Sequence, residues 1–144
     1  MNNIINTINS IYNINNMPLT LVKLFNNHVI EFIDDICSIV DNKDDLLNIR
    51  KKIKGLIRIS SVKPIKLWKE NCSKYDIEIE NKNYEYFLNK SYIKDIRNDD
   101  FLLNLFEKYK TQFSCESVEN KEKIMQYIYN LNKISKIYYM SKTN

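Results

Sequence analysis

From Thr20 onward, Val22, Phe25, Val29, Phe32, Ile33, Ile36, Ile39 and Val40 recur mostly three and four residues apart. That spacing predicts one apolar face of a long helix. Lys23, Asn27, Glu31, Asp34 and Asp41 take the opposite face, and Pro18 and Thr20 punctuate the start. Asp41-Asn42-Lys43-Asp44 predicts a turn that supplies an N-cap. A second helix over 44–60 then turns Leu46, Ile49, Ile53, Leu56 and Ile57 inward. Gly55 inside it costs about 1 kcal/mol relative to Ala, so it points to close approach of another helix. Ser60 or Ser61 is expected to cap a third helix, with Pro64 tolerated in its first turn and Ile65, Trp68, Cys72 and Tyr75 as its stripe.

The stretch 76–97 is less regular. Ile77 and Ile79 alternate with acids as in a short strand, with no evident partner strand, and Tyr84, Tyr86 and Phe87 predict a short aromatic helix. Asn98-Asp99-Asp100 would cap a fourth long helix with Leu102, Leu105, Phe106, Tyr109 and Phe113 inward. Ser117, Glu119 and Glu122 open a fifth, whose stripe is Ile124, Ile128, Leu131, Ile134 and Tyr138. Short connections between amphipathic helices predict an all-α fold. It would be an antiparallel bundle of about five main helices with short connecting ones, in a single domain over 18–140.

Composition sharpens this picture at the front of the chain. Residues 1–17 carry seven Asn, five Ile and no charge, and read as a loosely ordered extension. Across all 144 residues there are 22 Ile, 21 Asn and 19 Lys, no Ala and one Gly. Ile, Asn and Lys have A/T-rich codons, so much of the bias reports the genome. A single Gly excludes a glycine-rich phosphate loop and a dinucleotide fingerprint. The apolar fraction of 44% is too high for a disordered chain and too interrupted by charge for a membrane span. No signal peptide is expected, because Asn breaks every apolar run before Met17. Cys37, Cys72 and Cys115 are odd in number and far apart, which fits reduced thiols rather than a disulfide framework or zinc site.

Candidate chemistry is sparse. His28, the one histidine, stands with Glu31 and Asp35 at i, i+3 and i+7. Such a row could bring a nitrogen and two carboxylates to a metal, but a di-iron site needs Glu-x-x-His twice. We therefore expect a solvated or edge-of-core histidine, no metal and no cofactor. The pairs Asp44-Asp45 and Asp99-Asp100 fall at helix starts, where the macrodipole accounts for them. With Cys37 and Cys72 on or beside apolar stripes, no catalytic constellation remains and the chain reads as non-enzymatic.

Two surface features stand out. Between Arg50 and Lys69 lie eight basic residues and no acid. Arg50, Lys54 and Arg58 follow at i, i+4 and i+8 with Lys51 beside them, and Lys63 and Lys66 stand near, a pattern suited to phosphates or an acidic partner. Trp68 could stack a base but belongs to the apolar stripe. Among ten tyrosines, Tyr127, Tyr129 and Tyr139 fall off the inward stripe of the last helix, as a protein interface would require.

Several runs carry a family resemblance. They are Leu24-Phe25-Asn26-Asn27-His28-Val29-Ile30-Glu31-Phe32-Ile33-Asp34-Asp35 with Asn42-Lys43-Asp44-Asp45, and Ile65-Lys66-Leu67-Trp68-Lys69-Glu70 with Phe87-Leu88-Asn89-Lys90-Ser91-Tyr92. Met125-Gln126-Tyr127-Ile128 with Leu131-Asn132-Lys133-Ile134-Ser135 completes the set. Together they resemble small all-helical proteins of unassigned function from large nucleocytoplasmic (giant) DNA viruses. The resemblance covers residues 18–138 and implies a viral protein of the host cytoplasm (the viral factory) or the virion, not secreted. The first expectation is a viral structural or accessory module that binds another protein. The alternative is a nucleic-acid-associated protein using the basic flank.

Overall fold

The computed structural model describes residues 17–92 and 100–142, with the side chains of 100–103, 105 and 106 outside that description. The Asn-rich extension therefore lies outside the described residues except for Met17, as do Asn98 and Asp99 of the expected cap. The chain is an all-α helical bundle. Its helices are α1 (Met17–Cys37), α2 (Asp44–Ile59), α3 (Lys63–Cys72), α4 (Asp76–Glu80), α5 (Tyr84–Asn89), α6 (Asp100–Ser114) and α7 (Val118–Lys142), with a 3-10 turn over Ser73–Tyr75. Among the described residues no helix is long and apolar enough to cross a membrane.

Helix α1 stops before the apolar run does. Ser38 Oγ donates to the Asp35 carbonyl at 2.6 Å and competes with the helical ladder, and Ser38 and Ile39 form a turn rather than a last turn of helix. Val40 is still buried. The following turn ties off through Asn42, whose Oδ1 accepts from the Asp44 N–H at 3.2 Å. Neither serine caps α3: its N-cap is Val62, which offers no side-chain acceptor, and Pro64 occupies the first turn as expected. Ile77 and Ile79 are helical, not extended. Ile79 is buried and Ile77 open, which is what one exposed-inward pair gives on a short helix lying against α7. Lys82 at φ 50° ends α4 in the left-handed region, with the Asn83 N–H on the Glu78 carbonyl at 3.0 Å. Ser117 caps α7, accepting from the Asn120 N–H at 3.1 Å.

Among the described residues, two apolar clusters hold the helices together. In the first, Leu21, Val22 and Phe25 of α1 meet Ile65 of α3 and Leu131, Ile134 and Tyr138 of α7. Toward the other end of α1, the Tyr127 ring stacks on Phe32 at 4.9 Å, so α1 and α7 run antiparallel. In the second cluster Ile33, Ile36, Val40 and Leu46 gather around Tyr109 of α6. Burying each such side chain contributes about 1.5–3 kcal/mol. Helix α7 touches α1, α3, α4 and α5. Its buried set therefore departs from the expected stripe: Leu131, Ile134 and Tyr138 are buried, Ile124 and Ile128 only half-buried, and Met125, Tyr127, Asn130, Asn132 and Ser135 join the core. Gly55 has nothing within 4 Å of where a Cβ would stand, so no close helix approach explains it.

Candidate interaction surface

A row at i, i+4, i+8 drifts about 40° around a helix at each step, because four residues overshoot one turn of 3.6. Arg50 therefore starts at the α1 seam and Arg58 ends turned toward solvent. At the seam Arg50 meets Asp34 of α1, donating from Nε at 2.7 Å and from Nη2 at 3.3 Å. Solvent screens this open pair, but it removes Arg50 from the cations available to a partner. Lys69 is likewise occupied, lying over the Tyr139 ring at 4.9 Å.

The rest of the basic series faces outward. Lys51, Lys54, Arg58 and Lys66 are exposed and Lys63 is half-buried. Among the described residues none of these five has a carboxylate partner. Acids elsewhere do take partners: Asp45 meets Lys108 at 2.9 Å, and Asp76 and Glu80 meet Lys136 at 3.0 and 3.1 Å. The corner between α2 and α3 is fixed in place, since Asn26 Nδ2 of α1 donates to the Ser61 carbonyl at 2.8 Å. Sequence reasoning missed the apolar part of this corner. Ile59 is 86% exposed and Val62 36%, set between Arg58 and Lys63. An Ile off the α2 stripe was the available signal.

The tyrosine surface does not form as expected. Tyr127 is 2% exposed, with its ring between Phe32 and His28 and its hydroxyl donating to Asp35 and, at 3.5 Å, to Glu31. It is a core residue, because α7 is covered on the side that α1 occupies. Burial, reinforced by those carboxylates, pushes its phenol well above the ordinary range. Tyr129 and Tyr139 are half-buried, with Lys82 over the one at 4.7 Å and Lys69 over the other. The three do not make a shared open face.

The row His28, Glu31, Asp35 does converge, on Tyr127 and Lys123 rather than on a cleft. His28 is 5% exposed, deeper than an edge position, with Nδ1 3.6 Å from Glu31 and Nε2 buried. Burial pulls its pKa below the ordinary 6.5, against the opposing pull of Glu31. Among the described residues no group of three or more His, Cys, Asp or Glu has the arrangement of a metal site.

A cleft of about 210 Å³ opens between α3, α4 and α7, lined by Trp68, Asp76, Asn132 and Lys136 among others. Its polar groups face each other. Trp68 Nε1 donates to Asn132 Oδ1 at 3.2 Å, Asn132 Nδ2 donates to Asp76 at 2.9 Å, and Lys136 closes the chain on Asp76. Trp68 is thus half-buried and engaged, as its stripe position implied. Set beside known proteins, the chain matches no family model, no curated protein and no solved structure.

Proposed function

We propose that this chain is a non-enzymatic interaction module, a structural or accessory protein of a giant virus, that docks a polyanionic partner on the α2–α3 face. The observation that carries the reading is the α2–α3 face, where Lys51 and Lys54 on α2 lead to the fixed corner of Arg58, Lys63 and Lys66 beside open Ile59 and Val62, none of the five with a carboxylate partner among the described residues. Like charges kept so close on a helix cost a few tenths of a kcal/mol per pair, a cost that a bound polyanion reverses. The non-enzymatic part is supported by the row of His28, Glu31 and Asp35, which closes on the buried Tyr127 rather than opening on a cleft. The viral setting, in the factory or the virion, is supported by the runs quoted from residues 18–138 alone.

Binding of long-chain inorganic polyphosphate tests the surface without presuming a partner. The variant K51Q/K54Q/R58Q is compared with K23Q/K133Q/K142Q, which lowers net charge equally at other positions. The face reading expects the first to weaken binding at least tenfold more than the second. Equal weakening would mean that net charge, not this face, does the binding.

A further inference from the structure

We infer that the partner of the α2–α3 face is double-stranded nucleic acid, gripped through its phosphates without regard to sequence. The inference rests on the reading of that face as a polyanion-docking surface and adds the class of partner. Three observations carry it.

The first is what the face lacks. Residues 44–67 contain no Phe, Tyr or Trp. The nearest indole, Trp68, has its ring edge-on to Phe25 at 6.0 Å and its N–H on Asn132. Single-stranded binders hold bases by stacking them on aromatic rings, each stack contributing about 1–3 kcal/mol. This face has no ring to offer, so the unstacked bases of a single strand gain nothing here.

The second is the kind of cation present. Four of the five partnerless side chains are Lys, and Arg58 is the exception. Lysine ammonium is a mobile point charge that finds phosphate oxygens, whereas base edges are read mainly by the arginine fork and by Asn or Gln amides. A Lys-dominated face positions a duplex and specifies little of its sequence.

The third is spacing. Lys51 and Arg58 are seven residues apart on α2, a rise of about 10.5 Å. A duplex carries one phosphate charge per about 1.7 Å of its axis, both strands counted, so a row of that length laid along the duplex runs beside several of them. The α2 row can lie along the duplex, while Lys63 and Lys66, beyond the corner on α3, add two further charges.

The test uses the full chain with a labelled mixed-sequence 30-base-pair duplex, its separated strands, phosphatidylserine vesicles and polyglutamate, across 50–300 mM salt. Five phosphate contacts predict a slope of log K against log salt of about −4.5 for the duplex. The duplex should bind with Kd in the micromolar range at 50 mM salt, tighter than either strand and equally for a second sequence. In K51Q/K54Q/R58Q the slope should fall to about −1.8, with a loss of about 500-fold at 0.1 M salt from counterion release. All three positions are exposed, and an unchanged circular dichroism melt shows that the variant still folds. Single strands binding as well as the duplex, or vesicles or polyglutamate binding while the duplex does not, overturns the duplex inference; loss of that binding in the variant leaves the face reading intact. A duplex bound equally by K51Q/K54Q/R58Q and K23Q/K133Q/K142Q overturns both.

Discussion

Replacing Asn132 by Ala should destabilise the protein by about 2–3 kcal/mol, more than a surface polar substitution on a long helix would. Asn132 is 4% exposed and uses both ends of its amide, accepting from the Trp68 indole at 3.2 Å and donating to Asp76 at 2.9 Å. The indole bond is neutral and contributes about 1 kcal/mol net. The bond to a carboxylate would contribute about 1.5–3 kcal/mol in a dry site. Asp76 is 41% exposed and also held by Lys136 at 3.0 Å, so about 1 kcal/mol is the fair share there. The remainder is the indole N–H left facing the cleft with no protein acceptor. For a chain of this length the melting temperature should drop by roughly 6–9 °C.

Urea unfolding followed by circular dichroism measures the loss, and the single tryptophan reports the site directly, with its emission shifting to the red as the indole becomes wetter. A cycle with Trp68→Phe isolates the shared bond: in that background Asn132→Ala should cost about 1 kcal/mol less. A loss below 0.5 kcal/mol at an unchanged m-value, or strict additivity of the two substitutions, would refute the idea that this amide ties α3 and α4 to α7.

Gly55→Ala should stabilise the protein by about 0.5–1 kcal/mol, because the added methyl meets nothing within 4 Å and the helical backbone loses less entropy; a lower urea midpoint would count against it. His28, whose folded pKa lies below 6.5 through burial, binds its proton more readily when the chain is unfolded. Stability should therefore fall as pH drops below about 6.5 and level off beneath the folded pKa, and His28→Phe should flatten that slope between pH 7.5 and 5; a slope unchanged in the variant assigns it to other groups. Burial pushes the Cys72 thiol up to about 11, so at pH 8 roughly one molecule in a thousand carries its thiolate. Iodoacetamide followed by peptide mass mapping should mark exposed Cys115 well before Cys72, with urea abolishing the difference; equal labelling in the folded state would contradict the burial.

Much of the helical framework was legible in the pattern of residues. Val22, Phe25, Ile33 and Ile36 face the core on α1 and Leu131, Ile134 and Tyr138 on α7, as their spacing predicts, and Pro64 and Ser117 stand where the helix starts need them. Periodicity works there because each stripe faces one main neighbour. It fails on the rest of α7, which α1, α3, α4 and α5 cover on several sides, so Tyr127 and Asn132 are buried despite lying off the stripe. The acid-flanked Ile77 and Ile79 mimic a strand, since over five residues one buried position reads the same in either period.

The basic surface divides the same way. Its existence is a property of composition between Arg50 and Lys69, visible without any structure. Which cations remain available depended on what lay opposite each one: Asp34 across the seam took Arg50, the Tyr139 ring took Lys69, and the corner pinned by Asn26 left Arg58, Lys63 and Lys66 facing outward. Side-chain pairing is a relation between elements distant in sequence. The chain by itself determined which helices form and which faces must be buried, and only their packing decided which charges were paired and which were left open.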